Sequence, residues 1–179
     1  RVKWYCPKNL NEQVIWLDEK YLIPPTFNCL FHWLKQTYNE TDKCAGNIEG
    51  ADIEIIDFGG LAGVANVDAF LKYNISFIPY YKKLIQKFQD NGYVEGKDLF
   101  GAPADWRRGI ACQSLFFQRT KALIEKIYQE TQQRVVMIGH SFGCFLTHYF
   151  LSDVMTKKWV EKYVDHQILI APSFGGAGK

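Results

Sequence analysis

The chain has 179 residues, of which 47% are hydrophobic and 22% charged, so its composition excludes a disordered chain and its length predicts one domain. The formal net charge is +2 and the basic residues form no stripe, which argues against nucleic acid as a partner. No stretch of about 18 uninterrupted apolar residues occurs, so the sequence predicts no transmembrane helix.

The first fifty residues are predicted to form an irregular segment that lies outside the layered core, which we call the excursion. This segment, residues 1–50, is rich in aromatic residues and holds three of the five cysteines. The cysteines include no Cys-x-x-Cys pair and the four histidines are scattered, so the sequence predicts no zinc site and no cofactor. The chain starts without Met and stops after a glycine-rich stretch, so we expect both ends to be cuts within a longer protein.

Residues 51–179 predict a partial core in which strand and helix patterns alternate. Residues 53–58 predict a strand, which a turn-rich loop with Gly59, Gly60 and Gly63 follows. Apolar residues at helical spacing predict a helix over 77–88, stopped by Asn91 and Gly92. Residues 98–102 predict another short strand.

The second half of the chain continues this alternation. Residues 113–131 predict a helix with Leu115 on its apolar side, and the apolar run 135–138 predicts a parallel strand covered on both faces. A third helix is expected after Gly143, and residues 164–171 predict a last strand after a short helical piece around Trp159. The fold class is therefore α/β, with a mainly parallel sheet and helices on both faces.

The Gly-His-Ser-Phe-Gly run at 139–143 matches the Gly-x-Ser-x-Gly pattern of a nucleophile elbow, between a strand and a helix. Such a turn strains the serine backbone and lifts its hydroxyl above the carboxyl edge of the sheet, so Ser141 is the predicted nucleophile. Gly139 and Gly143 are expected to avoid collisions between strand and helix. The amide of Phe142, at the helix N-terminus, is the expected first oxyanion donor. A plain tight turn is the alternative explanation.

Six short motifs follow one another along the chain: Ile15-Trp16-Leu17-Asp18, Asp57-Phe58-Gly59-Gly60, Asn91-Gly92-Tyr93, Ala102-Pro103-Ala104-Asp105-Trp106-Arg107, Gly139-His140-Ser141-Phe142-Gly143-Cys144 and Ala171-Pro172-Ser173-Phe174-Gly175-Gly176. With these motifs the chain resembles the lecithin:cholesterol acyltransferase family, which includes lysosomal phospholipase A2 and phospholipid:diacylglycerol acyltransferases. The resemblance covers nearly all residues and implies an α/β-hydrolase fold, incomplete at both ends.

The resemblance implies an enzyme that takes a fatty acyl group from a phospholipid onto Ser141 and passes it to water or to an alcohol such as a sterol or diacylglycerol. It also implies that the backbone amide of Phe58 is the second oxyanion donor. Cys144 matches a family cysteine near the active site, and we expect it to be a free thiol that serves packing. Asp105 and Arg107 are expected to fix their loop by hydrogen bonds.

The resemblance further implies a disulfide between Cys6 and Cys29 that closes a membrane-contacting segment. Asn39 and Asn74 begin N-glycosylation triplets, and Asn39 falls where the family has a glycosylated Asn. These features predict a secreted or lumenal protein, lysosomal or endomembrane, that is peripheral on membranes or lipoprotein surfaces. The alternative to a disulfide-closed, membrane-contacting segment is that its aromatic residues pack inward and that Cys6 and Cys29 are both free. The expected membrane-contacting residues are Trp16, Leu17, Tyr21, Leu22, Ile23 and Phe27.

The sequence provides no convincing general base. His148 lies in the helix after Ser141 and His166 begins the next strand, so we expect both to be structural. The resemblance implies that the acid and the base come later in the chain. The alternative function is a catalytically incomplete hydrolase-like chain that acts as a lipid-binding or scaffolding subunit of a larger assembly. A phosphate-binding loop at 173–179 is rejected because Ser173 replaces its first glycine.

Overall fold

The computed structural model describes residue 6 and residues 15–16, 21–67 and 78–176. The chain divides into two compact units, Arg1–Pro103 and Ala104–Lys179. A boundary at residue 50, between an excursion and a core, was expected from the sequence. The division into compact units does not test that boundary, so it stays a prediction. Among the residues described, no helix is long and apolar enough to cross a bilayer.

The first unit begins with regular structure where the sequence predicted an irregular segment. Helix α1 spans Phe27–Leu34, and strands β1 (Gln36–Asn39) and β2 (Cys44–Asn47) form an antiparallel hairpin. The turn between the strands is held by side chains, because Asn39 Oδ1 accepts a hydrogen bond from Thr41 N–H and Asp42 Oδ1 accepts one from Cys44 N–H. The expectation of an irregular segment was therefore wrong, since this turn chemistry was missed.

A small core in the first unit surrounds the disulfide between Cys6 and Cys29, which confirms the implied pairing. Tyr21, Leu30 and Trp33 are buried against it, and the rings of Tyr21 and Trp33 meet edge to face at 4.9 Å. Further cysteines are oxidised, because Cys44 and Cys112 are also disulfide-bonded, which the sequence did not predict.

Two strands predicted in the first unit are not formed as strands. Residues 53–56 alternate in exposure, but residues 53–58 carry no ladder of hydrogen bonds, and the backbone turns at Asp57 and Phe58. In the segment 98–102, Leu99 and Gly101 make only isolated bridges, to Glu95 and Gly59. The period-two pattern specifies which side chains face inward, whereas a strand also requires a continuous partner, which the local sequence does not specify.

The helix predicted over 77–88 is observed as α3, Lys82–Asp90, after a short helical turn α2 at Ala62–Ala65. Its start is later than predicted because Ile78 and Tyr80 are used in pairing. Val67 N–H donates to Ile78 O at 3.0 Å, and Tyr80 N–H donates to Ala65 O at 2.9 Å. Phe77 lies outside the described residues.

The predicted end of this helix is confirmed in detail. Asn91 is the C-cap, and Gly92 follows with φ +92°, which is the left-handed region that favours glycine. Gly92 N–H donates to Gln89 O and Tyr93 N–H donates to Phe88 O, which is the hydrogen-bond pattern of a Schellman motif. The rings of Phe88 and Tyr93 add the apolar contact typical of that motif, at 5.1 Å.

The second unit contains the parallel pair of strands that the sequence predicted. Strand β3 (Val135–His140) pairs in parallel with β4 (Val164–Ile170), with Ile138 opposite Ile168 and His140 opposite Ile170. The chain runs between them through two α-helices and a π-helical segment, as a crossover connection requires. The elements of this unit are a 3-10 turn at Ile110–Cys112, α4 at Ser114–Thr131, β3 at Val135–His140, α5 at Phe142–Tyr149, the π-helical segment Phe150–Val154, α6 at Lys157–Tyr163 and β4 at Val164–Ile170.

Two details of this unit differ from the sequence prediction. Leu115 is 60% exposed, because the buried side of α4 is formed by Phe116, Phe117, Thr120 and Ile124. Strand β3 is not covered on both faces by the residues described, since Val136 on β3 and Ile168 on β4 are exposed. An apolar run shows that a strand can be buried, but it does not show which element covers each face.

The loop before α4 is fixed by an ion pair between Asp105 and Arg107, as the sequence predicted. The guanidinium donates to both carboxylate oxygens, at 2.9 and 2.8 Å, and both side chains are largely buried. Burial works to raise the pKa of Asp105, but the hydrogen bonds and charge of Arg107, with a contribution from Arg108, hold that pKa below its ordinary value of 3.8. The ionised form of Asp105 therefore stabilises the folded state.

Asp105→Asn should lower stability in a pH-dependent way. Because the pKa of Asp105 is lower in the folded than in the unfolded chain, its stabilisation is present above pH 3.8 and is lost as pH falls through the folded pKa. Urea unfolding at pH 7 should show a loss of about 1–3 kcal/mol that shrinks in stronger acid. Asp165→Asn is the matched control, since Asp165 pairs with Arg134 at the surface, and its effect should be clearly smaller. Equal losses in the two variants at pH 7 would contradict this account.

Candidate active site

Ser141 forms the junction between β3 and α5 and has an unusual backbone conformation. Its φ is +51° and its ψ is −117°, a combination that a residue other than glycine rarely adopts and that costs about 1–3 kcal/mol. Hydrogen bonds on both sides hold this conformation. Ser141 N–H donates to Ile170 O at 3.0 Å, and Cys144 N–H donates to Ser141 O at 3.0 Å. The sharp and strained turn expected of a nucleophile elbow is present, at the carboxyl end of a parallel pair of strands.

Gly139 has the steric role that the sequence predicted, but Gly143 does not. A Cβ atom at position 139 would lie 2.7 Å from the carbonyl oxygen of Gly143 and 2.9 Å from Thr147 Oγ1. At position 143 a Cβ atom would meet no described atom within 4 Å. The close approach of strand and helix is therefore between Gly139 and the backbone of Gly143. The side-chain direction of Gly143 is open, so the expectation of a collision there was wrong.

The polar groups beside the junction are available for a ligand. Phe142 is the first residue of α5, where amides have no partner within the helix, and its amide makes no hydrogen bond to another described residue. Within the same described set, the half-buried Ser141 hydroxyl has no partner either. The positive end of the α5 dipole adds a favourable potential for negative charge at this point. The arrangement combines a nucleophilic oxygen with an adjacent donor for an oxyanion.

Cys144 is a free and fully buried thiol, as the sequence predicted. Its Sγ lies 3.3 Å from the carbonyl oxygens of both Gly139 and Ile170, so the thiol joins the helix to the two strands. This orientation turns the sulfur into the packing rather than toward a ligand. Cys144 thus contributes to the position of α5 and not to the nucleophilic chemistry.

The two histidines that follow Ser141 are placed away from its hydroxyl. His166 lies four residues before Ile170, or roughly 13 Å back along the strand, and its Nδ1 contacts Asp165 Oδ2 at 2.6 Å. His148 is exposed on α5, and its ring lies against Phe174 at 5.5 Å. Neither histidine forms a hydrogen bond with Ser141. Neither of these two histidines is therefore placed to take a proton from the Ser141 hydroxyl.

The loop that contains Phe58 belongs to the first unit and is a region of close backbone contacts. Gly59 N–H donates to Gly101 O at 2.8 Å. A Cβ atom at Gly60 would lie 2.2 Å from Asp57 Oδ1, and one at Gly63 would lie 2.6 Å from Ile56 O. The loop is therefore fixed by its neighbours. The role of the Phe58 amide as an oxyanion donor stays a proposal.

Comparison with known proteins identifies the family. The family model described as lecithin:cholesterol acyltransferase matches residues 12–179. The chain belongs to the lecithin:cholesterol acyltransferase family. Among its relatives, the phosphatidylcholine-sterol acyltransferase of Gallus gallus is 32% identical over 99% of this chain and 42% of its own length. The lysosomal phospholipase A and acyltransferase of Canis lupus familiaris is 28% identical over 99% of this chain and 43% of its own length.

Membership in the lecithin:cholesterol acyltransferase family implies an α/β-hydrolase-like fold, which agrees with the parallel strands and the elbow. The chain spans about two fifths of the length of the curated relatives it matches. More than half of each of these relatives therefore has no counterpart in residues 1–179.

The residues expected to contact a membrane are placed in two different environments. Leu22, Ile23 and Phe27 are 41%, 63% and 39% exposed, whereas Tyr21 is 3% exposed and belongs to the core around the disulfide. This placement removes Tyr21 from the exposed set. Phe31, which the sequence analysis did not single out, is exposed and contacts Phe27 edge to face at 4.6 Å. Four exposed residues, Leu22, Ile23, Phe27 and Phe31, are called the apolar cluster below. Of the other residues expected to contact a membrane, Trp16 is half-buried and Leu17 lies outside the described residues.

The two glycosylation triplets also have different outcomes. Asn39 is exposed at the end of β1, in the turn of the hairpin, where a glycan could be accommodated. Asn74 lies outside the described residues. Use of either triplet stays a prediction.

Alanine at the two elbow glycines should have opposite effects on stability. Gly139→Ala would place its methyl group 2.7 Å from Gly143 O, so we expect a loss of about 1–3 kcal/mol from overpacking. Gly143→Ala lies in the first turn of α5 with an open side-chain direction, so the better helix propensity of alanine should leave stability unchanged or raise it by up to about 1 kcal/mol. Thermal unfolding measures both changes, and a Gly143→Ala loss as large as that of Gly139→Ala would refute the geometry.

Proposed function

We propose that this chain carries the nucleophile of a lipid acyl-transfer enzyme, in which Ser141 takes a fatty acyl group from a phospholipid. The acyl group then passes to water or to an alcohol such as a sterol or diacylglycerol. The strained conformation of Ser141, beside an amide with no partner among the described residues, is the observation that carries this proposal. The relatives are named as acyltransferases and as a phospholipase A, which supports the same reaction class.

The proposed first step is attack of Ser141 Oγ on the carbonyl carbon of a phospholipid ester. A bond forms between the serine oxygen and the acyl carbon, and the carbonyl oxygen gains negative charge. The Phe142 amide would donate to this oxyanion, and the resemblance to the family suggests the Phe58 amide as the second donor. The bond to the glycerol oxygen then breaks, and that oxygen leaves with the serine proton. A water or alcohol repeats the attack on the acyl-Ser141 intermediate and restores the serine.

The proton transfers in both steps require a general base, which we propose lies outside residues 1–179. The placement of His148 and His166 away from the serine supports this assignment. The span of about two fifths of the relatives' length is consistent with it. If the full-length protein has no such base, the chain instead fits a lipid-binding or scaffolding subunit of a larger assembly.

We further propose that the enzyme is peripheral on membranes or lipoprotein surfaces and is secreted or lumenal. Disulfides persist in oxidising compartments, and Cys6, Cys29, Cys44 and Cys112 are all disulfide-bonded. The apolar cluster offers contiguous exposed side chains that could enter the interface of a lipid layer. Its neighbour, the disulfide at Cys29, would hold α1 in place for that contact.

Ser141→Ala in the full-length protein should abolish release of fatty acid from phospholipid vesicles while thermal unfolding stays unchanged. The variant keeps Cβ and removes the oxygen that forms the acyl intermediate. A serine-directed phosphonate should label the wild-type peptide that contains Ser141, as detected by mass spectrometry. Ser152→Ala is the matched control, since this exposed serine lies in the π-helical segment and donates to His148 O, one turn back in α5. Unchanged turnover in Ser141→Ala would overturn the assignment.

Aspartate at Leu22 and Ile23 together should weaken binding to phosphatidylcholine vesicles, because charged side chains resist entry into a lipid interface. Hydrolysis of a soluble short-chain ester should change much less, since the chemistry takes place at Ser141. Vesicle flotation and ester assays on the same preparations compare the two effects. Leu115→Asp is the matched control, because Leu115 is similarly exposed on α4 but lies outside the cluster. Equal losses on both substrates would count against a membrane-contact role.

A further inference from the structure

We infer that Asp57 is a positioning residue, whose carboxylate and backbone conformation together set the direction of the Phe58 amide. The inference rests on the proposed function, since the direction of that amide matters only if an oxyanion forms beside it. Nothing in the sequence singled out Asp57 for this role. The residues involved are those of the loop 57–63 and its immediate contacts.

Asp57 has a left-handed backbone, with φ +55°, and Gly59 follows two residues later with φ +102°. Such a conformation is unfavourable for most residues, and aspartate is among the few side chains that tolerate it because its short polar side chain can hydrogen-bond locally. The chain therefore reverses direction around Phe58. This turn determines where the amides of residues 58 and 59 point.

The Asp57 carboxylate closes the loop on itself. Its Oδ2 accepts hydrogen bonds from Ala62 N–H at 2.7 Å and from Gly63 N–H at 3.3 Å, at the start of α2. The same carboxylate occupies the space beside Gly60, where a Cβ atom would lie 2.2 Å from Oδ1. Glycine at position 60 is therefore needed to admit the carboxylate, and the carboxylate in turn holds the loop to the helical turn that follows.

The peptide between Asp57 and Phe58 is held by its oxygen. Asp57 O accepts a hydrogen bond from Gly60 N–H at 3.1 Å. Because a trans peptide is planar, its N–H points opposite to its C=O, so this bond also fixes the direction of Phe58 N–H, away from the turn. The next amide, Gly59 N–H, is anchored on Gly101 O at 2.8 Å. The Phe58 amide thus lies between two peptides whose orientations are both fixed.

Fixed orientation is what an oxyanion donor requires. Removal of one such donor lowers kcat by about 10² to 10³, and a displacement of about 1 Å in a reacting group can cost about 10². Glycine at position 57 would allow the same backbone but would not bond to Ala62 and Gly63. Asparagine would tolerate the left-handed backbone and keep an oxygen acceptor at nearly the same place.

The experiment compares Asp57→Asn with Asp57→Gly in the full-length protein, with a soluble short-chain ester as substrate. We expect Asp57→Gly to lower kcat by about 10- to 100-fold with KM little changed, because substrate binding does not use the displaced amide. Asp57→Asn should restore most of the wild-type kcat. Thermal unfolding measures whether each variant is folded at the assay temperature, and failure of Asp57→Gly to fold would overturn the inference in favour of a purely structural role.

A second pair of variants perturbs the carboxylate without changing Asp57. The methyl group of Gly60→Ala would displace the carboxylate, so this variant should lose kcat as Asp57→Gly does. Gly46→Ala, in strand β2 of the same unit, has an open side-chain direction and should behave as wild type. Wild-type kcat in both Asp57→Gly and Gly60→Ala would overturn the inference, as would an Asp57→Asn loss equal to that of Asp57→Gly.

The rate of Ser141 phosphonylation separates this inference from the proposed function. If the wild-type serine is not labelled by the phosphonate, the proposed function itself fails. If the wild-type serine is labelled and Asp57→Gly is labelled equally fast, only the positioning role fails. Slower labelling of Asp57→Gly and Gly60→Ala, with normal labelling of Asp57→Asn, is the expected result.

Discussion

The hydrogen bond from Ser141 N–H to Ile170 O joins the strained turn at Ser141 to the neighbouring strand, and the geometry of the candidate site depends on it. The acceptor lies at the end of β4, opposite His140, so it is present only while β3 and β4 keep their register. A shift by one residue would reverse the faces of β4 and remove this carbonyl from the serine. The pairing of β3 with β4 thus offsets the backbone strain at Ser141. Helix α5 starts directly after this residue, so its first amides lie at the carboxyl end of the two strands.

The sequence specified those parts of the fold whose signals are local. The alternation of strand and helix gave β3, α4, α6 and β4 with small errors at their ends, and Gly92 marked the end of α3. The hairpin of β1 and β2 was missed because its local turn chemistry was overlooked, whereas two other failures concern partners that are distant in sequence. Residues 53–56 alternate in exposure but have no ladder, and the start of α3 was delayed by pairing with residues 65–67. Periodicity describes one element at a time, whereas pairing depends on two.

The candidate site shows the same division. The motif identified Ser141 and the strain at its backbone, and the spacing of the glycines suggested a close approach of strand and helix. Only coordinates distinguish Gly139, whose missing side chain is required, from Gly143, whose side-chain direction is open. Asp57 was passed over for a related reason, since its role depends on a positive φ and on contacts to amides five and six residues away. No compositional pattern reports such a conformation.

The burial of the Cys144 thiol limits how reagents can reach it. With Sγ between two carbonyl oxygens and no exposed surface, an alkylating reagent or oxidant can reach it only when α5 separates from β3 and β4 for a moment. Modification of this cysteine would then be limited by that opening, because its rate would scale with the fraction of molecules in which α5 is separated from the strands. The modification of Cys144 therefore reports how often the turn between β3 and α5 opens locally. A ligand that holds this turn closed would slow the modification.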